Sequence, residues 1–209
     1  MPPRLSFTRR LRGTFSGTSW NTASRRVRIP ARDTDGWLNV VIETPRGSTA
    51  KFKYDERDHV IRLSRPLPAG LSYPFDWGFV PSTRAPDGDA LDAMVVWDGA
   101  SYPGVIITAR CIGVLRVEQK NLKTSIRERN DRLLTVPVKA RRHPAGDELG
   151  EQLRAELEQF FTAAVAFEGK DVRLLGWGGP DEADSIIRAA ELSSLAGADE
   201  QQTRGYHNR

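Results

Sequence analysis

The order of strand-like and helix-like segments is the feature that most constrains the fold of this chain. Short apolar segments bounded by Gly, Pro and polar residues fill the middle of the sequence, and the first helical pattern appears only at residues 147–167. Strands followed by helices predict an α+β fold, with a closed or nearly closed β-barrel and helices packed on its outside. The helical segment has one apolar face, whose residues recur at spacings of three and four: Leu149, Leu153, Leu157, Phe160, Phe161 and Val165.

The strand-like segments follow one another at short intervals. Residues 37–44 and 50–55 flank a Pro/Gly turn and are predicted to pair as a hairpin. A second helix is predicted from Asp181 to about Leu192. Further strands are predicted at 93–97, at 105–117, from Arg132 onward and at 171–177.

Length and charge predict one domain with two tails. With 209 residues and 39% hydrophobic content, we expect a barrel domain over 33–192, a basic arm over 1–32 and a polar, loose tail over 193–209. Residues 1–32 hold eight Arg and no acid, and the remainder has 23 Lys and Arg against 27 Asp and Glu. This composition is typical of an organelle transit segment or of a disordered basic arm. No recognised DNA-binding motif follows it, so nucleic acid is an unlikely partner.

The single cysteine and the apolar runs indicate the cellular location. Cys111 lies in an apolar segment and is predicted to be a buried structural thiol, which fits a reducing compartment. No apolar run reaches the length of about eighteen residues that a membrane-spanning helix needs. We therefore expect a cytoplasmic protein with no membrane partner, or one imported into an organelle if the source is eukaryotic.

An acidic turn precedes one of the predicted strands. Asp87, Asp89 and Asp92 stand within six residues, and like charges this close raise one another's pKa unless a cation neutralises them. An acidic turn without a ligand is the alternative, since Asp and Gly suit turn backbones. An EF-hand loop is excluded, because Leu91 and Asp92 occupy its fifth and sixth positions, where an oxygen ligand and Gly are required. A carboxylate-only site favours Mg²⁺, or Mn²⁺, over zinc.

Several sequence blocks, in order and with their spacing, resemble the soluble family I inorganic pyrophosphatases. The resemblance runs roughly from Trp37 to Ala190 and includes the D-x-D-x-x-D pattern of the acidic turn. It implies a five-stranded, OB-like closed barrel, commonly in a homo-oligomer, whose mouth binds pyrophosphate among several Mg²⁺ ions. The matching blocks are VVIETPRGSTAKFKYD, LSRPL, LSYPFDWGFVPSTRAPDGDALDAMVV, GVLR and LLTVP.

The resemblance also implies a role for individual residues. Asp87, Asp92 and Glu43 would be metal ligands, and Asp89 would both contact metal and act as general base on the attacking water. The predicted phosphate-binding residues are basic, and the first two also have catalytic roles: Lys51, Arg65 and Arg132.

Six positions depart from the family pattern. Lys53 replaces a glutamate and Trp77 a tyrosine, while Gln119 and Asn130 fall where the family has metal ligands, with Glu118 or Asp131 as candidates one residue away. Ala164 and Val165 replace a Tyr-Lys pair that binds phosphate, and neither side chain can donate a hydrogen bond.

The departures leave open whether the function is catalytic. The leading hypothesis is Mg²⁺-dependent hydrolysis of pyrophosphate to two phosphates. The alternative is a catalytically degenerate pyrophosphatase-fold protein that binds phosphate, metal or a partner, and a third hypothesis is an OB-like barrel whose basic arm binds nucleic acid.

Overall fold

The computed structural model describes residues 29–139 and 149–206, with side chains described up to residue 196. Nine strands and two helices occur in this part of the chain, with both helices after the eighth strand. The elements are β1 (Leu38–Thr44), β2 (Ala50–Asp55), β3 (Val60–Pro66), β4 (Asp76–Val80), β5 (Leu91–Val95), β6 (Ile106–Lys120), β7 (Arg127–Arg129), β8 (Arg132–Pro137), α1 (Glu151–Ala164), β9 (Arg173–Gly178) and α2 (Pro180–Tyr206). The prediction of a mixed α+β fold is confirmed.

Seven of the strands form one sheet, and β2 and β3 form a separate two-stranded sheet. In the larger sheet the order is β1-β4-β5-β8-β6-β7, with β9 paired to β6 and a further pairing between β1 and β6. All pairs are antiparallel except β5 with β8. β1 and β4 approach closely at Gly78, where an added Cβ would lie 1.9 Å from the Val41 carbonyl oxygen. Any larger residue at this position would separate the two strands.

The predicted hairpin between 37–44 and 50–55 is wrong. β2 pairs with β3, and β1 pairs instead with β4 and β6. The error arose because β3 was not predicted as a strand: it is largely exposed, and polar Arg62, Ser64 and Arg65 interrupt its apolar residues. β4 was missed as well, since Gly78 and the acidic Asp76 weaken its strand pattern.

The helices have different bounds from those predicted. α1 is shorter than predicted, beginning at Glu151 and ending at Ala164. α2 continues to Tyr206, beyond the predicted end at Leu192, so 193–206 is helical rather than loose. The residues after Leu192 are polar and include Gly197 and Gly205, which indicate a loose tail, but they include no proline, the residue that would interrupt the helical hydrogen bonds.

Two apolar clusters hold the domain together. One joins the sheet to α1 and includes the aromatic residues Tyr73, Trp77, Phe160 and Phe161. The second joins the opposite surface of the strands to α2 through Ala183, Ile187 and Ala190. Each helix therefore buries its apolar face against a different part of the sheet.

The last residues of the predicted basic arm contact the domain. Ala31 is buried, and the Arg32 guanidinium pairs with Asp184 at 2.9 Å and with Glu191 at 3.1 Å on α2. Residues 1–28 lie outside the described part of the chain. Within the part that is described, no helix is both long and apolar enough to span a membrane.

Candidate active site

Glu43 occupies an irregular position in β1. The register against β4 shifts between Ile42 and Thr44, so Glu43 is the extra residue of a bulge. Its side chain is 5% exposed, and Oε1 accepts a hydrogen bond of 2.6 Å from the Tyr54 backbone N–H. The neighbouring Thr44 hydroxyl accepts a hydrogen bond from the Phe52 N–H at 2.9 Å. Glu43 and Thr44 therefore attach the β2–β3 hairpin to the end of β1.

The β2–β3 hairpin brings two predicted phosphate-binding residues together. Lys51 on β2 lies directly opposite Arg65 on β3 in the antiparallel register. Directly opposite residues place their Cβ atoms about 5 Å apart, close enough for both side chains to reach one phosphate group. Lys51 Nζ also lies 5.8 Å from the centroid of the Trp77 ring.

The acidic turn connects β4 to β5. Gly88 adopts φ +89°, which favours glycine, and the Ala85 N–H donates to the Asp89 carbonyl at 2.7 Å. The Asp89 N–H in turn donates to the Asp87 carboxylate at 3.2 Å. The turn leaves Asp89 exposed, and its carboxylate forms an ion pair of 2.7 Å with Lys53 Nζ.

Asp92 and Arg132 are neighbours on parallel strands. They are register partners in β5 and β8, and the Arg132 guanidinium forms an ion pair with the Asp92 carboxylate. The same guanidinium donates to the Asn130 side-chain oxygen and lies 5.4 Å from the Trp77 ring centroid. Trp77 therefore contacts both Lys51 and Arg132, which places it between two predicted phosphate-binding residues.

Burial and like charge shift the pKa values of the acidic residues. Burial is the main cause that raises the pKa of Glu43 to about 7, with the Tyr54 N–H opposing it and Asp92 adding repulsion. Burial also raises the pKa of Asp87, to which Asp92 and Asp89 add repulsion. Each of these carboxyl groups is thus within electrostatic range of Asp92, and a bound cation would favour their charged forms.

Burial lowers the pKa of Lys51. The carboxylates of Asp92 and Glu43 oppose this shift, while the cations of Arg132 and Lys170 reinforce it. The ammonium group therefore lies among two acidic and two basic side chains, so acidic and basic groups meet at Lys51.

The predicted metal ligands stand near one another, but two of them are engaged with cations. Asp89 forms an ion pair with Lys53, and Asp92 forms an ion pair with Arg132. Over residues 29–139 and 149–206, no three Asp, Glu, His or Cys side chains form a group arranged to hold a metal ion. The donor set nevertheless fits a hard divalent cation in its chemistry, because all four groups are carboxylates.

Comparison with known proteins identifies the family. The family model described as inorganic pyrophosphatase matches residues 40–193, which is most of the chain. The chain belongs to the inorganic pyrophosphatase family. The inorganic pyrophosphatase of Synechocystis sp. is 38% identical over 168 residues, covering 78% of this chain and 94% of the relative. That of Sulfolobus acidocaldarius is 32% identical, covering 77% of this chain and 93% of the relative.

Solved structures agree with the sequence comparison. The crystal structure of the Thermus thermophilus inorganic pyrophosphatase matches with a TM-score of 0.71 and 32% identity, covering 80% of this chain and 97% of that one. The Neisseria gonorrhoeae enzyme matches with the same TM-score of 0.71 and 29% identity, covering 80% of this chain and 96% of that one.

Asn130 and Gln119 stand where the family resemblance implies metal ligands. Asn130 touches the site through Arg132, but it carries no charge. The neighbouring Asp131 is directed elsewhere, because its carboxylate accepts from the Val117 N–H at 2.9 Å and from Arg129 at 2.8 Å. Gln119 lies far along β6, opposite Glu128 on β7, and Glu118 lies opposite Arg129. The contacts that the structure shows for Asp131 and Glu118 therefore do not include Asp92.

Ala164 and Val165, which stand where the family resemblance implies a phosphate-binding Tyr-Lys pair, lie at the end of α1. Ala164 is buried in the apolar cluster beneath α1, and Val165 follows as the residue that ends the helix. Two charged residues a few positions later were missed by the sequence analysis: the Glu168 carboxylate pairs with the Arg65 guanidinium and with Lys170 at 2.9 Å. The sequence signal that could have identified them is the order acid, Gly, base at Glu168, Gly169 and Lys170, directly after a helix with an apolar face.

Proposed function

We propose that this protein hydrolyses inorganic pyrophosphate to two phosphates. The observation that carries the proposal is the position of Asp92, which pairs with Arg132 and lies within electrostatic range of Glu43, Asp87 and Lys51. Carboxylates that bind a divalent cation and basic groups that bind phosphate therefore meet at one place. This combination is the one that phosphoryl transfer requires.

We propose that the site lies at one end of a closed, five-stranded, OB-like barrel. The pairings of β1, β4, β5, β8 and β6 return to β1, which supports closure. We further propose a domain over 33–192, preceded by a basic arm at 1–32 and followed by a polar tail at 193–209.

We propose Mg²⁺ as the metal, with Mn²⁺ as a substitute, held by Glu43, Asp87, Asp89 and Asp92. When bound, the metal ions would polarise the phosphate oxygens and favour ionisation of the attacking water. To join in holding a cation, Asp89 must leave Lys53 and Asp92 must share its carboxylate between the metal and Arg132.

The chain's own groups supply the remaining catalysis. Asp89, exposed at the tip of the acidic turn, takes the proton of the water as its oxygen bonds to one phosphorus. The bond from that phosphorus to the bridging oxygen breaks, and the second phosphate leaves with the electron pair. Lys51, Arg65 and Arg132 hold the phosphates and stabilise the charge that develops on them.

One set of observations favours a second function, a phosphate- or metal-binding module without turnover. Ala164 and Val165 contribute no polar group, and Lys53 engages the proposed general base in an ion pair. Each lost donor in such a site can reduce turnover by about 100-fold.

Phosphate release from pyrophosphate tests the proposed function directly. We expect the purified protein with Mg²⁺ to release phosphate, and the Asp89→Asn variant to lose at least about 100-fold of that rate. The variant also serves as the control for contaminating host enzyme, since both preparations carry the same contaminants. Equal release by both proteins, or by neither, would contradict hydrolysis at this site. A rise in melting temperature with Mg²⁺ or phosphate, without turnover, would then support the binding module.

We also propose a cytoplasmic location and a homo-oligomeric state. The first rests on Cys111, the single cysteine of the sequence, whose thiol has its pKa raised to about 11 by burial and is unsuited to redox chemistry. The second rests on the family resemblance, and analytical ultracentrifugation of the full chain would test it.

A further inference from the structure

The loop after α1 places a charged pair against the β2–β3 hairpin. Glu168 and Lys170 flank Gly169, which adopts φ +67° and so turns the chain back on itself. The Glu168 carboxylate lies between two cations, pairing with the Arg65 guanidinium and with Lys170 Nζ at 2.9 Å. The side chains of Glu168, Arg65 and Lys170 are 19%, 23% and 28% exposed, so all three are mostly shielded from solvent.

The position of Lys170 is fixed by the main sheet. Its carbonyl accepts a hydrogen bond of 2.6 Å from the Lys120 N–H at the end of β6. The next residue, Asp171, is held by Arg127, whose guanidinium donates to the Asp171 carbonyl at 3.0 Å and pairs with its carboxylate. The main sheet therefore holds the chain at the Lys170 carbonyl and at the next residue, which limits the positions that the Lys170 side chain can reach.

Lys170 belongs to the same charge cluster as the proposed phosphate-binding residues. Its charge reaches Lys51, where it reinforces the lowering of the Lys51 pKa that burial causes. Arg65, which shares Glu168 with Lys170, is the register partner of Lys51. Two cations, Arg65 and Lys170, thus flank a point that the Glu168 carboxylate now occupies, with Lys51 opposite Arg65 in the hairpin. A phosphate oxygen has the same preference for paired cationic donors.

We propose that Lys170 binds a phosphate group together with Arg65, in place of the pair that is missing at Ala164 and Val165, and that Glu168 occupies this position when no ligand is bound. The inference rests on the proposed function for the identity of the substrate. Its structural part, a phosphate site made by Arg65 and Lys170, is independent of turnover.

Titration of inorganic phosphate and pyrophosphate by calorimetry tests the proposal. We expect Lys170→Met to weaken phosphate binding about 10- to 100-fold, the effect of removing one charge-assisted hydrogen bond. Lys123→Met is the matched control, because Lys123 is exposed in the loop after β6, and it should change the affinity less than about twofold. Lys170→Arg, which keeps the charge, should retain most of the affinity. An unchanged urea unfolding midpoint for Lys170→Met excludes loss of folding as the cause.

The Glu168→Gln variant tests whether the Glu168 carboxylate competes with phosphate or instead positions Arg65 and Lys170 to bind it. If Glu168 stands where phosphate binds, the neutral side chain should tighten phosphate binding about 3- to 10-fold, because the ligand no longer displaces a charge. Weaker binding in this variant would contradict the displacement. In the Lys170→Met protein, Val165→Lys should restore part of the affinity by returning a cation to the end of α1.

The binding and turnover measurements distinguish a failure of this inference from a failure of the proposed function. If the wild-type protein releases phosphate and Lys170→Met has unchanged phosphate affinity and KM, the inference is overturned and the proposed function stands. If the wild-type protein releases no phosphate but Lys170→Met weakens phosphate binding, the site stands and hydrolysis does not.

Discussion

The acidic side and the cationic side of the site are built from different parts of the molecule. The acidic side, Glu43, Asp87, Asp89 and Asp92, is carried by β1, by β5 and by the turn before β5, all within the main sheet. Of the basic residues, Arg132 lies on β8 of the same sheet, next to Asp92. The others, Lys51, Arg65 and Lys170, are carried by the two-stranded hairpin and by the loop after α1, and are called the cationic side here. On the main sheet, burial desolvates Glu43 and Asp87 and leaves Asp89 exposed. The hairpin and the loop instead carry long basic side chains around a carboxylate, Glu168, that a ligand could replace.

This difference separates effects on stability from effects on binding. Substitutions on the buried part of the acidic side should change the free energy of unfolding and its pH dependence, because charges there are desolvated. Substitution of Lys51 on the cationic side should change ligand affinity and leave stability nearly unaltered, because burial of its ammonium group is itself unfavourable. The following predictions test this separation, beginning with the largest effect.

The largest effect on stability is expected for Asp92→Asn. It leaves the Arg132 guanidinium, whose side chain is 12% exposed, without its carboxylate partner. Breaking a pair with this burial costs about 3–5 kcal/mol, which urea unfolding of the metal-free protein would measure. Asp89→Asn is the control, because its pair with Lys53 is more than half exposed and should contribute less than about 1 kcal/mol. Equal losses in the two variants would show that burial does not distinguish the two carboxylates.

Glu43 should make the metal-free protein less stable as the pH rises. Burial raises its pKa from the ordinary 4.5 to about 7, so the folded state binds more protons than the unfolded state between these values. Stability should therefore fall over this range, by about 3 kcal/mol in total, and remain low above it. Glu43→Gln keeps an acceptor for the Tyr54 N–H and should remove this fall. Urea unfolding at several pH values with EDTA would measure it, and an unchanged pH profile in the variant would exclude Glu43 as the cause.

Lys51→Met should weaken ligand binding without weakening the fold. The lowered pKa shows that burial of the ammonium group is unfavourable, and an apolar chain of similar length removes that cost. We expect phosphate affinity to fall about 10-fold, and the free energy of unfolding to stay the same or rise by up to about 1 kcal/mol. Calorimetry and urea unfolding of one preparation would provide both values. A lower free energy of unfolding in Lys51→Met would show that Lys51 stabilises the fold, as we expect for the buried residues of the acidic side.

The smallest effect is expected for Lys53→Met. This substitution removes the cation that engages Asp89 and leaves a carboxylate free to bind a divalent ion. Because the pair is exposed, the free energy of unfolding should change by less than about 1 kcal/mol, while Mg²⁺ affinity should rise about 3- to 10-fold. Lys53→Arg, which keeps the charge, is the control for Mg²⁺ titration by calorimetry. Unchanged Mg²⁺ affinity in Lys53→Met would mean that Lys53 does not compete with the metal.

The parts of the fold that could be predicted are those with strong local patterns. The apolar face of α1 was recognised from its spacing, and Leu157, Phe160 and Phe161 are buried as expected. The pairing of β2 could not be predicted, because strand partners depend on register and packing with residues elsewhere in the chain. β3, the partner of β2, is largely exposed and mixes apolar with basic residues, so its sequence has no regular alternation that marks it as a strand.

By itself, the sequence determined the chemistry that is available. It fixed three carboxylates in one turn and two residues without polar groups at the end of α1, since both depend only on residue identity. Only the tertiary structure decided which charges meet: Lys53 with Asp89, Arg132 with Asp92, and Glu168 with Arg65 and Lys170. The physical reason is that electrostatic interactions fall off with distance in space, and residues far apart in the chain become neighbours only when the strands pair and the helix packs.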